Sequence, residues 1–450
     1  MKRITLTIIS FFIICSRELP AQTKAWTLED CINYAVENNI QLQRQKLLTN
    51  EAEVDLTKAR LSTLPSLNLG SDASIRFGRS VDPVTNLITF KQNISNSFSL
   101  NSSFQLFSGF AGLNTISASK FMLKAGIESE KVARNTLIIN ILGAYYQVLY
   151  AKGLENAAKK QLDLSEKQLF RIEKTVETGR EPVARKYEME SRASDDRLSF
   201  TVARNNASKA VTSLKQLLQL EPGTEFDVLM PELEDTLIPD VRYNTDSVYN
   251  IASQTLPRLK AINYELMASR KQVAAAWGGF FPSIQAGGSL FTGFYKVIGE
   301  GVGDQASFSS QLKNNNSQAL GVSLNIPLFN NYTAGRNLRM ARLRKQDNEL
   351  KLQLEKNALY TEIENACLDY NRGKDEYSAA ASNLEYNKKS FDAVEKKFEA
   401  GIIDVIEYST AKTTLFRAQT EELRTKLQLI IRQLTIQFYT TGEYEKLINK

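Results

Sequence analysis

Histidine is absent from all 450 residues of the chain. This removes the side chain that most often moves protons near neutral pH and ligates transition metals. The sequence also shows no serine nucleophile set, metal-ligand cluster or phosphate-binding loop, so we predict neither an enzyme nor a cofactor. Its 56 basic and 50 acidic residues leave a net charge of only +6. The cations are spread along the chain, so we expect no nucleic-acid partner.

Cysteine is scarce, with three residues at positions 15, 31 and 367. Cys31 and Cys367 lack the close spacing of a metal or redox motif. A disulfide between them is one alternative in an oxidising compartment, and two buried free thiols is the favoured one. Lipidation of Cys15 is a further alternative, although Ile14 before it is not the small residue that processing prefers.

Long apolar runs are also missing, apart from a short one at the start of the chain. Met1-Lys2-Arg3 precedes the apolar segment Ile4–Cys15, and Leu19-Pro20-Ala21 supplies a small residue for cleavage. This pattern predicts a signal peptide over residues 1–21 and therefore export. No segment approaches the ~20 apolar residues of a membrane-spanning helix.

What the chain does have is an internal duplication. Leu64-Pro65-Ser66-Leu67 returns as Phe281-Pro282-Ser283-Ile284, a shift of 217 residues. Later positions, such as Ala144 and Ala366, are shifted by 222. A tandem repeat of about 220 residues predicts two similar structural units. The predicted divisions are a signal peptide (1–21), a first repeat (22–220), a proline-containing equatorial linker (221–246), a second repeat (247–440) and a C-terminal tail (441–450).

Each repeat contains two segments in which apolar and polar residues alternate. This period predicts strands of about ten residues, apolar on one face and small or polar on the other. The four strands are 67–77, 97–106, 283–294 and 320–328, paired as two hairpins with long polar loops at 78–96 and 295–318. A soluble β-sandwich is one alternative. About ten residues is the length of a tilted strand that spans an outer membrane. Export, the long loops on one side and the inner face rich in serine, asparagine and glycine favour strands that cross an outer membrane.

Helical patterns of unusual length follow the strands. They run from about Phe110 to Thr178 and from Thr333 to Ala400, on the order of 100 Å each. A heptad register with small residues predicts coiled-coil packing. The seam residues are Ile141, Ala144, Val148, Ala151, Ala158, Leu162, Leu169, Ile172 and Val176, with Ile363, Ala366, Tyr370, Tyr377, Ala380, Leu384, Phe391, Val394 and Phe398 in the second repeat, and polar Ser165 and Asn387 at equivalent positions.

Glycine and capping residues mark the predicted helix ends. Gly179 and Gly401 close the long helices, and return helices of about 38 residues begin at Pro182 and Asp404. The opening helix has a capping box, with Thr27 as N-cap and Asp30 three residues later.

Four strands in one chain cannot close a membrane-spanning sheet. Closure needs at least about eight strands, and each unpaired backbone group in lipid costs several kcal/mol. The predicted fold is therefore a mixed α+β membrane protein. Three copies would form a 12-stranded transmembrane β-barrel, four strands per chain, continued by a long periplasmic α-helical coiled-coil barrel.

The order of these motifs in both halves resembles the TolC-like outer-membrane efflux family. The segments that carry the resemblance are Leu28-Glu29-Asp30 with Ala35, Asn38 and Asn39, Leu64-Pro65-Ser66-Leu67, and Gly401-Ile402-Ile403-Asp404-Val405-Ile406-Glu407. The resemblance implies a homotrimer in the outer-membrane lipid of a Gram-negative bacterium, extending into the periplasm. It implies passive export of drugs, small molecules or proteins, as in tripartite efflux or type I secretion. The implied partners are an inner-membrane transporter and a periplasmic adaptor.

The resemblance also implies a site at the turns between long and return helices. Asp404 and Glu407 match the acidic residues that ring the family's closed entrance. Phe398 stands where the family often has a tyrosine that hydrogen-bonds a neighbouring helix in the closed state. Phenylalanine has no hydroxyl group, so this hydrogen bond is not expected here. The predicted adaptor-contact residues are Gly179, Pro182, Val183, Gly401 and Val405.

The two repeats differ at this site. Pro182 and Arg185 occupy the positions that hold Asp404 and Glu407 in the second repeat. We hypothesise that Arg185 pairs with Asp404 or Glu407 of a neighbouring helix in the closed state. The alternative is that these charges are simply solvated.

Two other classes of protein share part of this pattern. A periplasmic adaptor has a helical hairpin but no duplication, and a secreted or surface-attached structural coiled-coil protein lacks four alternating strands. The channel interpretation accounts for both features.

Overall fold

The structure is a computed structural model that describes residues 25–81, 86–230, 241–299 and 304–442. The predicted signal peptide with Cys15 lies outside the described residues, as do linker residues 231–240 and tail residues 443–450. The chain divides into two compact units. We call Met1–Gln45, Glu130–Pro257 and Lys356–Lys450 the helical unit, and Lys46–Ser129 and Arg258–Glu355 the sheet unit.

The elements of the first repeat are α1 (Leu28–Asn38), α2 (Ile40–Leu61), β1 (Ser66–Arg76), β2 (Ser80–Val81), β3 (Ile88–Thr89), β4 (Gln92–Ser108), α3 (Ala111–Glu177) and α4 (Val183–Leu218). Those of the second are α5 (Thr245–Thr255), α6 (Pro257–Trp277), β5 (Ser283–Ile298), α7 (Phe308–Asn314), β6 (Ser317–Asn325), α8 (Thr333–Glu399) and α9 (Val405–Thr441).

The long helices confirm the predicted bounds and the repeat spacing. Helices α3 and α8 contain 67 residues each, and both ends of α8 lie 222 residues after those of α3. The ends agree with the prediction to within one residue. Helix α1 starts with the predicted capping box, in which Thr27 Oγ1 accepts from Asp30 N at 3.1 Å and Asp30 Oδ2 accepts from Thr27 N at 3.1 Å.

Four strands of the sheet unit form one antiparallel sheet in the order β1-β4-β5-β6, and β2 and β3 pair in a separate two-stranded sheet. The register places Leu69 opposite Leu100, and Leu100 opposite Leu290. The apolar faces predicted for the separate strands therefore coincide on one face of the sheet. That face is open within one chain, since Leu69 is 78% and Leu320 94% exposed.

Two strands are longer than the prediction of about ten residues. Strand β4 has 17 residues and β5 has 16, because pairing continues into segments predicted as loops. Beyond the end of β6, glutamine side chains hydrogen-bond the backbone of β5. Gln311 bonds the N–H and C=O of Tyr295, each at 3.0 Å, and Gln305 bonds those of Val297, each at 2.9 Å. These amides take the place of a partner strand.

The core of the helical unit follows the predicted seam. Ile141, Val148 and Ile363 are fully buried, and Tyr370 anchors a cluster with Leu429 and Ile436. Ser165 is also fully buried, and its partners are described below. Among the helices of the described residues, none combines the length and apolar character needed to cross a membrane.

Cys31 and Cys367 are both free and buried, which confirms the favoured alternative. Burial raises the pKa of the Cys31 thiol to about 12 and also raises the pKa of Cys367. Because burial disfavours the thiolate, the free energy of unfolding has its full value below the ordinary thiol pKa. It falls as pH rises from that value through the folded pKa.

We therefore expect both thiols to react with a disulfide reagent at pH 8 at least about a hundredfold more slowly in the folded protein than after unfolding, because the thiolate is the reactive form. The measurement is absorbance of the released thiol with and without guanidinium. Equal rates in both states would contradict the buried placement.

Candidate functional site

The two turns between long and return helices have the same backbone conformation and hydrogen-bond pattern. Gly179 and Gly401 each have φ +72°, a left-handed conformation that suits glycine. Gly179 N bonds Val176 O at 2.9 Å and Arg180 N bonds Thr175 O at 2.9 Å. In the second turn Gly401 N bonds Phe398 O at 3.0 Å and Ile402 N bonds Lys397 O at 2.9 Å, so both helices end in Schellman motifs. The predicted helix-closing glycines are thus positioned by local backbone chemistry.

Asp404 caps the second return helix. It is the N-cap of α9, and its Oδ1 accepts from Glu407 N at 2.8 Å. A carboxylate here also faces the positive end of the helix dipole. Asp404 and Glu407 are both exposed, so the acidic pair predicted from the resemblance is available to solvent in one chain.

The first return helix begins differently. Pro182 is the N-cap of α4 and makes no side-chain capping bond. Val183 is 52% exposed, whereas Val405 at the matching repeat position is 1% exposed. Arg185 Nη1 pairs with Glu181 Oε1 of the same turn at 2.7 Å. The predicted difference between the two turns is therefore present in both capping and burial.

Phe398 lies in a hydrophobic cluster below the second turn. It is 9% exposed and stacks on Tyr408 with ring centroids 4.4 Å apart and an interplanar angle of 17°. All four helices of the helical unit that meet these turns contribute to the cluster, whose buried members are Ile172, Met189, Phe391, Phe398, Val405 and Tyr408. Phe398 and Val405 thus hold the turn together rather than lying on the surface of the chain.

A buried polar network lies on the same helices and was missed by the sequence analysis. Lys412 Nζ lies 2.5 Å from Asp196 Oδ2, and the side chains are 5% and 9% exposed. Ser165 donates to the same Asp196 oxygen at 2.5 Å and is also bonded to Lys412. Gln161 Nε2 donates to the other carboxylate oxygen at 2.7 Å. Burial lowers the pKa of Lys412, and the bond to Asp196 opposes that shift.

The structure brings some of the predicted site residues together within one chain. Asp404 is the N-cap of α9 and Glu407 lies in its first turn, and Phe398 belongs to the same hydrophobic cluster as Val405 between them. Arg185 pairs with Glu181 instead of an acidic residue of α9. Its pairing with Asp404 or Glu407 of a neighbouring helix stays a prediction. The polar seam residue Ser165 was the one sequence signal of the buried network.

Comparison with known proteins assigns this arrangement to a family. The family model described as outer membrane efflux protein matches residues 31–219 and 248–442. These two segments cover most of the chain and correspond to its two repeats.

Individual relatives and solved structures are distant in sequence but match over most of the chain. Toxin and drug export protein A of Aggregatibacter actinomycetemcomitans is 22% identical over 355 residues, covering 78% of this chain and 74% of the relative. The solved structure of CusC superposes with a TM-score of 0.77 at 18% identity, covering 92% of both chains. The CmeC outer membrane channel of Campylobacter jejuni gives a TM-score of 0.76 at 18% identity, covering 94% of this chain and 88% of that one.

Proposed function

Since this chain belongs to the outer membrane efflux protein family, we propose that three copies of it assemble into one continuous export conduit. The chain is an outer-membrane channel for efflux or secretion that extends into the periplasm. Its role is transport, and we assign it no catalytic reaction. The observation that carries the trimer proposal is the four-stranded sheet with two free outer strands.

The edges of the sheet support a shared barrel. In the described chain, β1 and β6 each pair on one side only, while large apolar side chains cover one face. A lipid-facing sheet with open edges is unstable because its backbone groups find no partner. Pairing β6 of one copy with β1 of the next would remove every edge and give twelve strands.

The turns support a second interaction, with a periplasmic adaptor that links the channel to an inner-membrane transporter. Val183 is 52% exposed, and Ile402 and Ile406 beside the second turn are 71% and 57% exposed. We assign these side chains to adaptor contact. Gly179, Pro182 and Gly401 shape the turns, and buried Val405 supports the second turn from within.

The assembly is tested with a disulfide between the edge strands. Cysteines replacing Ser66 in β1 and Ser323 in β6, one at a time and then together, should give covalent trimers only in the double variant, and channels in planar bilayers should persist. The parent protein, whose described cysteines are buried, is the control. Soluble, monodisperse monomers without detergent would contradict the channel and favour the secreted coiled-coil alternative.

The acidic pair is expected to bind cations at the channel entrance. Three copies would bring about six carboxylates into a ring, which attracts and holds cations. Asp404→Asn combined with Glu407→Gln keeps an N-cap acceptor at position 404 while removing the charges. We expect at least about a tenfold loss in sensitivity of the conductance to divalent cations. Glu385→Gln, on an exposed surface pair, is the control, and unchanged block by cations in the double variant would exclude the ring.

Arg185 is expected to restrain the closed state. Removing its positive charge in Arg185→Ala should raise the closed-state conductance of purified channels in bilayers. Arg185 has two roles to separate, the ion pair with Glu181 inside the turn and the proposed pair with Asp404 or Glu407 of a neighbouring helix. Glu181→Gln removes only the first, because it leaves Arg185 in place. Arg197→Ala removes an arginine from an exposed pair with Glu166 and should have no effect. If Arg185→Ala behaves like Arg197→Ala, Arg185 is only a solvated charge.

A further inference from the structure

The helix ends that adjoin the sheet carry positive charge without negative charge. The sequence has no aspartate or glutamate in residues 56–71, 83–127, 266–299 or 305–346. These stretches include the sheet-proximal ends of α2, α3, α6 and α8. Their helical cations are Lys58, Arg60, Lys120, Lys124, Arg270, Lys271, Arg336, Arg339, Arg342, Arg344 and Lys345.

The first three turns of α8 hold the densest part of this group. Arg336, Arg339 and Arg342 follow one another at spacings of three residues, so like charges are neighbours on the helix surface. The positive end of the helix dipole lies at the same place, and the first turn contains no acid. Both effects disfavour helix formation at this end, so an external anion bound here would stabilise α8.

Two of these arginines line a cavity between α6 and α8. The cavity has a volume of about 270 Å³ and contains Gln272, Arg336, Asn337, Met340, Ala341 and Arg344. Its lining has guanidinium and amide donors and no carboxylate. Arg336 and Arg344 are exposed and have no ion pair within the described residues. Guanidinium groups are well suited to bind phosphate, because each can donate two parallel N–H hydrogen bonds to its oxygens.

Aromatic side chains beside the cavity indicate where its ligand lies. Trp277, Phe280 and Phe281 are 44%, 46% and 48% exposed at the end of α6, immediately before β5. Arg342 lies over the Trp277 ring at 5.5 Å. Exposed aromatic residues next to cations are typical of the level where lipid headgroups meet water. Helical side chains tilt toward the N-terminus of their helix, so the arginines of α8 lean toward β6 and the sheet.

From these observations we propose that Arg336, Arg339, Arg344 and the cavity between α6 and α8 bind the phosphate groups of anionic phospholipids in the periplasmic leaflet. This site rests on the proposed function, because it requires that the strands next to it cross the outer membrane. The lipid would neutralise the charge of α8 and fix the depth of the sheet in the bilayer.

Trp277 provides a reporter for the test, because the chain has only two tryptophans. In a Trp26→Phe background, purified channels in neutral detergent are titrated with phosphatidylglycerol or with phosphatidylcholine. Trp277 emission is expected to change with phosphatidylglycerol alone. Arg336→Gln, Arg339→Gln and Arg344→Gln together should weaken that response at least about tenfold. Lys388→Gln, Lys396→Gln and Lys397→Gln, the same charge change at the other end of α8, should leave it intact.

Conductance in phosphatidylcholine bilayers separates the lipid site from the channel itself. If the triple arginine variant conducts normally and loses the phosphatidylglycerol response, the site is supported. Equal responses to both lipids, or an unchanged response in the triple variant, overturn it while leaving the channel in place. A changed anion selectivity of the pore with intact lipid binding would assign the arginines to anionic cargo instead. Absence of channels in the parent protein would overturn the proposed function.

Discussion

Replacing Lys412 by methionine is expected to destabilise the helical unit by about 3–5 kcal/mol. Lys412 and Asp196 are almost completely buried, 5% and 9% exposed, and their charged atoms are 2.5 Å apart. Methionine has nearly the same length but no charge, so it leaves the Asp196 carboxylate buried with only Ser165 and Gln161 as hydrogen-bond donors. The penalty is the cost of one uncompensated buried charge.

The measurement is guanidinium unfolding of the channel in detergent, followed by circular dichroism. Lys389→Met is the matched control, because Lys389 pairs with Glu385 while both side chains are more than 60% exposed, and exposed pairs contribute about 0–1 kcal/mol. Adding Asp196→Leu to Lys412→Met should recover much of the loss, since the double variant buries no charge. A Lys412→Met variant as stable as Lys389→Met would show that water reaches this network.

The helices and strands were predictable because each has a period that can be read locally. The heptad seam predicted the buried face of α3, including Ile141 and Val148. Glycine predicted the helix ends at Gly179 and Gly401. The full lengths of β4 and β5 were not predictable, since their outer parts lack a regular alternation of apolar and polar residues. Asn93 pairs with Val297 there, and the backbone of β5 also bonds glutamine side chains such as Gln311.

The candidate site was only partly predictable for a related reason. Asp404 was predicted to start the return helix, but the hydrogen bond that Glu407 N donates to its carboxylate was not predicted. Lys412 lies 216 residues from Asp196 in the sequence, and each reads as an ordinary exposed charge within its own helix. Which helix faces meet is decided by packing between distant segments, and no local period contains that information.

Replacing Phe398 by alanine is expected to loosen the second turn. Phe398 is 9% exposed and stacks on Tyr408 at 4.4 Å within the cluster that includes Val405 and Met189. Deleting a buried phenylalanine ring costs about 3–5 kcal/mol, from lost apolar burial and the cavity left behind. The end of α8 and the start of α9 should therefore open locally without unfolding of the whole chain.

Hydrogen exchange resolved to peptides tests this expectation. Amides flanking Gly401 should exchange about a hundredfold or more faster in Phe398→Ala, while those of the β-sheet keep their parent rates. Phe170→Ala removes the same ring from a position that is 63% exposed and should change little. If both variants exchange alike, Phe398 does not hold the turn. If only Phe398→Ala opens it, the backbone that positions Asp404 and Glu407 is held by the packing of Phe398 in this cluster.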